Sequence, residues 1–342
     1  MNLDRIIFKG LLIVILIAAG YNFCSGQAKV GTTAAPFLGI SATPRATAMG
    51  GAFTAVANDV TTLYYNPGGL SRIKGTQILL SHTEWLMGTN FNWIGFAMDF
   101  DGVNAVGASI TQLDYGEEDV TTVAQPEGTG AKWSAGDFAA AISYVRNLTD
   151  RFSIGGSAKY IQQKIYNESG SAFALDIGLL FTTQFNDMKL GMSISNFGTD
   201  LSFGGKDLLH RVDLDEETIG HNETIVARLK TENWPLPLFF RVGLAMDVFK
   251  TAISRFTIAV DAFRPSDNDE TINIGGEFSV HDWVSLRAGY KSLFRHDSEE
   301  GLTFGAGLNY RFGSAGVWSL DYCFMDFGLF ENVHMFSLKA GL

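Results

Sequence analysis

Apolar and polar residues alternate with a period of two along most of the chain, from residue 76 to the end. In the run 239–249, for example, the even positions are all apolar, whereas the odd positions include Arg241 and Asp247. A period of two places these sets on opposite faces of a β-strand. About fourteen such runs follow one another, each long enough for a tilted strand to cross a bilayer. The runs begin near Thr76, Asn90, Val103, Gly136, Arg151, Ser171, Met188, Leu236, Ile253, Glu270, Trp283, Gly301, Gly316 and Val333.

The connections between these runs alternate in length. Tight turns such as 101–102 and 281–282 alternate with longer polar segments, above all 115–135 and 199–234. An even strand number with short turns at one end is typical of bacterial outer-membrane barrels, whose short turns face the periplasm. We therefore predict an all-β fold: a transmembrane antiparallel β-barrel of about fourteen strands, spanning residues 76–342. Four tryptophans near strand ends are candidates for an interfacial girdle, namely Trp85, Trp93, Trp283 and Trp318.

A soluble β-sandwich or propeller would also show alternation, so the composition of the polar faces has to distinguish these folds from a membrane barrel. These faces combine bulky charges with many glycines, which favours a narrow polar lumen in which opposite charges pair. The charged residues on these faces, which we expect to line the lumen, are Lys159, Arg241, Asp247, Asp261, Glu277, Arg287, Arg311 and Asp321.

The first residues have the layout of a secretory signal. Arg5 and Lys9 precede the apolar run 11–19, and small residues follow it. We predict a signal peptide over residues 1–26, with cleavage after Gly26 or Ala28. Removal of Cys24 would leave Cys323 alone, so no internal disulfide is expected.

Residues 27–75 have no strand pattern, and the lumen of a fourteen-strand barrel offers them a place. We predict that this segment, called the hatch below, plugs the barrel. Its stretch 52–60 is expected to form a short helix, and Asn66, Pro67 and Gly68 to form a turn.

The hatch carries a pattern shared with a known family. Residues 44–70 read PRATAMGGAFTAVANDVTTLYYNPGGL, and the most specific positions are Pro44, Arg45, Gly50, Gly51, Asn66, Pro67 and Gly68. This stretch resembles the N-terminal signature of the PorV/PorQ family of outer-membrane proteins, itself similar to FadL-type fatty-acid channels. The final Leu342 departs from the aromatic residue with which such barrels usually end.

The resemblance implies a fourteen-strand barrel with an N-terminal hatch. PorV-type members bind the C-terminal signal domains of secreted cargo and carry them to the surface attachment complex of the type IX secretion system. The expected partners are thus outer-membrane lipid, cargo signal domains and secretion components. The alternative is a FadL-like channel for a hydrophobic small molecule such as a fatty acid.

Other kinds of function find no support in the sequence. The chain has no G-x-S-x-G, H-E-x-x-H, P-loop or C-x-x-C motif, and no histidine pair has metal-ligand spacing. We expect no enzymatic activity, no cofactor and no metal. The formal net charge of −11 argues against nucleic acid as a partner. The long segment 199–238 is rich in apolar residues, which predicts a lid folded over the barrel mouth, a patch for a protein partner, or a loop that folds back and packs locally.

Overall fold

The computed structural model describes residues 29–212, 225–295, 298–313, 316–330 and 332–342. The predicted signal peptide, residues 1–26, lies outside the described residues. Fourteen long strands form one sheet. They are β1 (Thr76–Glu84), β2 (Asn90–Asp99), β3 (Asn104–Asp119), β4 (Lys132–Thr149), β5 (Phe152–Ile165), β6 (Glu168–Thr182), β7 (Lys189–Gly198), β8 (Phe239–Lys250), β9 (Ser254–Pro265), β10 (Thr271–Val280), β11 (Val284–Leu293), β12 (Leu302–Arg311), β13 (Val317–Met325) and β14 (Val333–Gly341).

The sheet closes into a barrel because β1 pairs with both β2 and β14. The closing pairs run antiparallel from Gln77 opposite Gly341 to Glu84 opposite His334, and all other neighbours are antiparallel too. Closure leaves no unpaired edge, as a lipid environment requires. The predicted fold class is therefore confirmed, and the predicted strand starts differ by more than one residue only for β4, β6 and β8.

The predicted loop 115–135 is wrong in extent. Strand β3 continues to Asp119 and β4 already begins at Lys132, so the two strands project beyond their neighbours as a hairpin. The ladder is interrupted by an irregularity between Asp114 and Glu117 and then resumes. The acidic residues of this stretch are exposed on both faces, so alternation gives no sign that the strand continues.

Outward side chains are mostly apolar and exposed, whereas inward side chains are small, polar or charged and buried. The interfacial role expected for Trp93 is wrong, because this side chain faces the lumen and is fully buried. Its partner across the ladder explains the orientation: Ser81, also buried, lies opposite Trp93. Trp283 and Trp318 are exposed near the short-turn end.

The hatch fills the lumen from end to end. At the outer end, the amide of Ala34 donates to the carbonyl of Pro235, and at the inner, short-turn end the amide of Val60 donates to Gln77. Its short elements are the 3₁₀-helix Pro36–Gly39, the α-helices α1 (Pro44–Ala48) and α2 (Thr62–Tyr65), and the 3₁₀-helix Pro67–Arg72.

The predicted helix over 52–60 is absent, and turns replace it. The physical reason is a competing partner for the backbone. The Asp261 carboxylate of β9 accepts hydrogen bonds from the amides of Phe53 and Thr54 at 3.0 and 2.9 Å, which ties this stretch to the wall.

The long outer connection 199–238 folds back at its root and projects beyond it. Leu201 and Leu236 are buried in the same apolar cluster as Phe37 of the hatch. Farther out, the strands Leu209–Val212 and Ile225–Arg228 pair antiparallel as a separate two-stranded sheet. The remaining short elements are Leu86–Gly88 between β1 and β2, and Gly204–Gly205 and Lys206–Leu208 within the long connection. No helix of the described residues is long and apolar enough to cross a membrane.

Candidate functional site

Arg45 links the hatch to the barrel wall. It lies in the first turn of α1, which begins at Pro44 because proline suits a first helical position. Its guanidinium binds both oxygens of Glu277 on β10, at 2.9 and 2.8 Å, and Asp59 of the hatch at 2.6 Å. A two-pronged contact with a carboxylate uses the planar geometry of arginine, and a lysine cannot reproduce it.

Arg45 belongs to a continuous chain of alternating charges. On one side Arg287 of β11 bridges Glu277 at 2.7 Å and Asp321 of β13 at 2.6 Å. On the other side Lys339 of β14 lies 3.4 Å from Asp59. Three cations thus face three anions, which compensates the cost of burying them. We call these six residues the charge chain: Lys339, Asp59, Arg45, Glu277, Arg287 and Asp321.

The titration of Asp59 reflects this environment. Burial alone would raise its pKa, but the charges of Lys339 and Arg45 outweigh burial, and the pKa lies well below its ordinary value. Asp59 therefore stays ionised across the physiological range. Burial alone would lower the pKa of Arg45, but the charges of Glu277 and Asp59 outweigh burial and raise it.

Gly50 and Gly51 end α1. Both have positive φ, at 65° and 80°. The amide of Gly50 donates to Thr47 and that of Gly51 to Ala46, which is the hydrogen-bond pattern of a Schellman motif. A β-carbon on Gly50 would lie 2.7 Å from the carbonyl oxygens of Ile274 and Tyr290. The motif needs glycine here both for its backbone angle and for its close approach to β10 and β11.

Asn66, Pro67 and Gly68 form a turn that binds strand β6 of the wall. The buried Asn66 amide donates to the carbonyls of Thr54 and Leu179 at 2.8 and 2.9 Å, and its oxygen accepts from the amide of Gly68. Pro67 opens the 3₁₀-helix that follows. A β-carbon on Gly68 would lie 2.8 Å from the Gly178 carbonyl oxygen, so the turn lies directly against β6.

The other expected lumen charges are separated from one another. Arg241 is buried against aromatic rings, with its guanidinium carbon 4.7 Å from the ring centre of Phe263 and 5.1 Å from that of Phe239. Asp261 instead holds the hatch backbone. Asp247 is half-buried and accepts a hydrogen bond from Thr257 at 2.6 Å.

Arg311 lies at the inner rim and is exposed. It lines a cavity of about 660 Å³ at the short-turn end, together with members of the charge chain. The expectation that opposite charges pair in the lumen is thus met for Glu277 and Arg287, whereas the salt bridges among described residues do not include Arg311.

Lys339 completes the charge chain but was not among the lumen charges expected from the sequence, whereas Asp321 of β13 was. Lys339 lies on the inward face of β14, and strict alternation along this strand would have found it. A second buried pair, Lys159 with Asp176 at 2.7 Å, lies on β5 and β6. Asp59 was visible only as part of the hatch pattern, because nothing in a single sequence shows which wall charge meets which hatch residue.

This arrangement fixes the hatch by electrostatic contacts and by hydrogen bonds to the backbone. Among the described residues, no group of three His, Cys, Asp or Glu side chains is placed to hold a metal ion. Cys323 is buried and free.

A family model and several solved structures match the chain. The model for "Type IX secretion system protein PorV" matches residues 23–205, which is more than half of the 342 residues. No curated protein matches the chain by sequence.

Similar solved structures are channels or transporters for aromatic hydrocarbons. The monoaromatic hydrocarbon channel CymD has a TM-score of 0.58 at 12% identity, covering 88% of this chain and 98% of that one. The Ralstonia pickettii toluene transporter TbuX has a TM-score of 0.52 at 11% identity, with coverage of 88% and 98%. The Pseudomonas putida toluene transporter TodX has a TM-score of 0.52 at 16% identity, with coverage of 86% and 95%. Identities this low establish a shared fold.

Proposed function

The chain belongs to the PorV family of type IX secretion system proteins, and from this membership we propose that it binds secreted proteins at the outer membrane for surface attachment. In this proposal the barrel anchors the protein in the membrane, the hatch closes the lumen, and the outer connections bind the C-terminal signal domain of the cargo. The protein acts by binding, without catalysis.

The observation that carries the proposal is the filled lumen. The hatch is held at its outer end by Ala34, in its middle by Asp261, and toward its inner end by Asn66 and Arg45. Each of these contacts would have to break before a solute could pass. A barrel closed in this way is suited to bind a partner on its outer surface rather than to conduct a solute through its lumen.

The outer connections supply such a surface. The hairpin of β3 and β4 projects from the mouth. Val226, in the two-stranded sheet of the long connection, and Leu229, just after it, are 60% and 55% exposed. Apolar side chains exposed next to polar ones are typical of sites that bind other proteins.

The test is a binding measurement between the purified protein in detergent and the purified signal domain of a secreted protein from the same organism. We expect Val226→Ser combined with Leu229→Ser to weaken binding at least tenfold. The matched control is Ile253→Ser, because Ile253 is 56% exposed but lies at an inner turn. Absence of binding by the unmodified protein, or equal effects of both changes, would refute the proposal.

A hydrophobic-solute channel is the second candidate, and one observation favours it. The hatch and the wall share a continuous apolar cluster that includes Phe37, Phe91 and Trp93, which a hydrophobic solute could follow if the hatch moved. Asn66→Ala combined with Pro67→Ala would then change uptake of hydrophobic compounds into cells. Unchanged uptake of every compound tested would exclude the channel.

A further inference from the structure

One side of the barrel has polar outward side chains at a height where the opposite side has apolar ones. On β8 the outward side chains are apolar along the strand, from Phe240 through Leu244 to Val248. Strand β1 lies seven neighbours away in the ring of fourteen, directly opposite β8. Its outward side chains begin with Ile78 and Leu80 but continue with His82 and Glu84.

The polar side chains of β1 continue across β2 and β3. Asn92 lies between His82 and Gln112, and Asn90 lies between Glu84 and Asp114, so the ladder aligns two polar rows. Five of these six side chains are exposed and Asn92 is half-buried. We call this surface the seam patch, because it adjoins the β1–β14 closure: His82, Glu84, Asn90, Asn92, Gln112 and Asp114.

The seam patch lies within the height that lipid normally covers. His82 is six residues from Thr76, which corresponds to about 15 Å along the membrane normal for a strand tilted by about 40°. The apolar band of such barrels is about 25 Å tall. Polar groups that face acyl chains without partners cost free energy. The side chains of His82 and Asn92 share a hydrogen bond of 2.8 Å. Among the described residues, the side chains of Glu84, Asn90 and Gln112 make no hydrogen bond.

From these observations we propose that the seam patch binds the membrane-embedded wall of a different outer-membrane protein, one that presents lysine, arginine or amide donors. The negative charge of the patch indicates a partner of this kind. The patch contains the carboxylates Glu84 and Asp114 and neither lysine nor arginine, so it attracts donors and cations. Anionic lipid phosphate would be repelled. A second copy of this chain would place the same carboxylates against each other across a two-fold axis.

A cavity at the outer end of the same seam extends the surface. It measures about 730 Å³ and is lined by Glu84 and Asn90 of the patch together with Trp85, Phe330 and His334. A loop or a large side chain of the partner fits here, above the paired walls. The inference rests on the proposed function and deepens it, because it gives the secretion protein a surface for a second outer-membrane protein.

The test places a photo-crosslinking amino acid at Ile94, an outward position beside the patch that is 43% exposed. The matched control carries the same amino acid at Leu244, which is 44% exposed on the opposite wall. In living cells we expect Ile94 to give an adduct with one integral outer-membrane protein, at least tenfold above the yield from Leu244. Mass spectrometry should place the link on a strand of that protein that contains lysine or arginine.

Patch variants complete the experiment. His82→Leu, Asn92→Leu and Gln112→Leu together suit a lipid-facing wall, so the barrel should remain heat-modifiable while the adduct falls at least tenfold. Glu84→Lys with Asp114→Lys is the second variant, and it should remove the adduct by charge repulsion. Adducts with lipid only, an adduct of twice this chain's mass, equal yields at both walls, or an adduct that both variants leave unchanged would each overturn the proposal. Cargo binding by the purified protein does not involve the patch, so the two proposals fail separately.

Discussion

At the scale of single residues, Arg45 is the side chain through which the hatch and the wall depend on each other. It is the only described residue that bonds both Asp59 and Glu277. Its removal would leave two buried carboxylates with fewer partners, although Lys339 and Arg287 remain beside them. Breaking a buried ion pair by removing one partner costs about 3–5 kcal/mol, and the neighbouring cations should reduce this.

We therefore expect Arg45→Met to lower the free energy of unfolding by about 2–4 kcal/mol, measured by urea unfolding in detergent. Arg45→Lys should restore only part of the lost stability, because a lysine ammonium cannot make the bidentate hydrogen bonds that Arg45 makes with Glu277. The control is Arg72→Met, which removes a hatch arginine bonded to a single carbonyl, that of Asp150. A loss for Arg45→Met no larger than that of the control would contradict this role.

Asp59 predicts how the hatch responds to acid. Its pKa is lowered in the folded protein, so its stabilising contribution is complete above the ordinary value of about 4. That contribution is lost progressively as the pH falls from this value toward the lowered one. The wild-type urea midpoint should therefore decrease between about pH 5 and pH 2.

The variant Asp59→Asn should be less stable at pH 7 and should lose less stability over the same acid range. Asp282→Asn is the control, because Asp282 lies at the same inner end but its side chain is 84% exposed. Identical pH profiles for wild type and Asp59→Asn would show that the ion pairs of Asp59 do not stabilise the fold.

At the scale of elements, strands were predictable and the hatch was not. Alternation locates β1–β14 because one face of each strand contacts lipid and the other faces the lumen. The polarity of a residue therefore indicates which face it is on. Hatch residues are surrounded by protein on every side, and their conformation depends on distant wall groups. The expected helix over 52–60 failed for this reason, since Asp261 binds two of its amides.

The same distinction applies to the site. The sequence shows the glycines and the Asn-Pro-Gly turn, because their backbone chemistry is local. It also places Glu277 and Arg287 on inward faces, and their register brings them opposite each other. It cannot show that Arg45 joins them, because that contact spans 232 positions.

The end of α1 gives a prediction at this scale. In Gly50→Ala, alanine would have to adopt a positive φ, and its β-carbon would overlap the carbonyl oxygens of Ile274 and Tyr290. The backbone angle alone costs about 1–2 kcal/mol, and the overlap adds to it. Gly88→Ala is the matched control, since Gly88 has φ of 71° and nothing within 4 Å of its β-carbon position.

Limited proteolysis should therefore cut the hatch faster in Gly50→Ala than in Gly88→Ala, while both barrels stay heat-modifiable. If both variants resist protease equally, the close contact between the hatch and strands β10 and β11 is not needed to retain the hatch.

At the scale of the whole molecule, the protein is an outer-membrane barrel of the PorV family whose lumen is occupied by its own N-terminal segment. The charge chain, Asp261 and Asn66 tie that segment to several strands of the wall. The outer connections and the seam patch remain as the surfaces on which other proteins can act. This division between a closed interior and two exposed surfaces is the basis of the proposals made above.

We propose that the protein works with its hatch in place, and a covalent bridge between the hatch and the barrel rim tests this most directly. Thr33 of the hatch lies 2.6 Å from Asp267 of the outer rim, measured between Oγ1 and Oδ2. Cysteines at both positions, in a Cys323→Ala background, can be oxidised or bridged by a short thiol crosslinker. The inner end of the hatch is already continuous with β1, so the bridge holds both ends. Thr33→Cys alone is the control.

We predict that the bridged protein binds the cargo signal domain as tightly as the reduced protein and supports secretion to the same level. Loss of binding or secretion on bridging, restored by a reductant in the oxidised form, would mean that the hatch must move and would contradict the account.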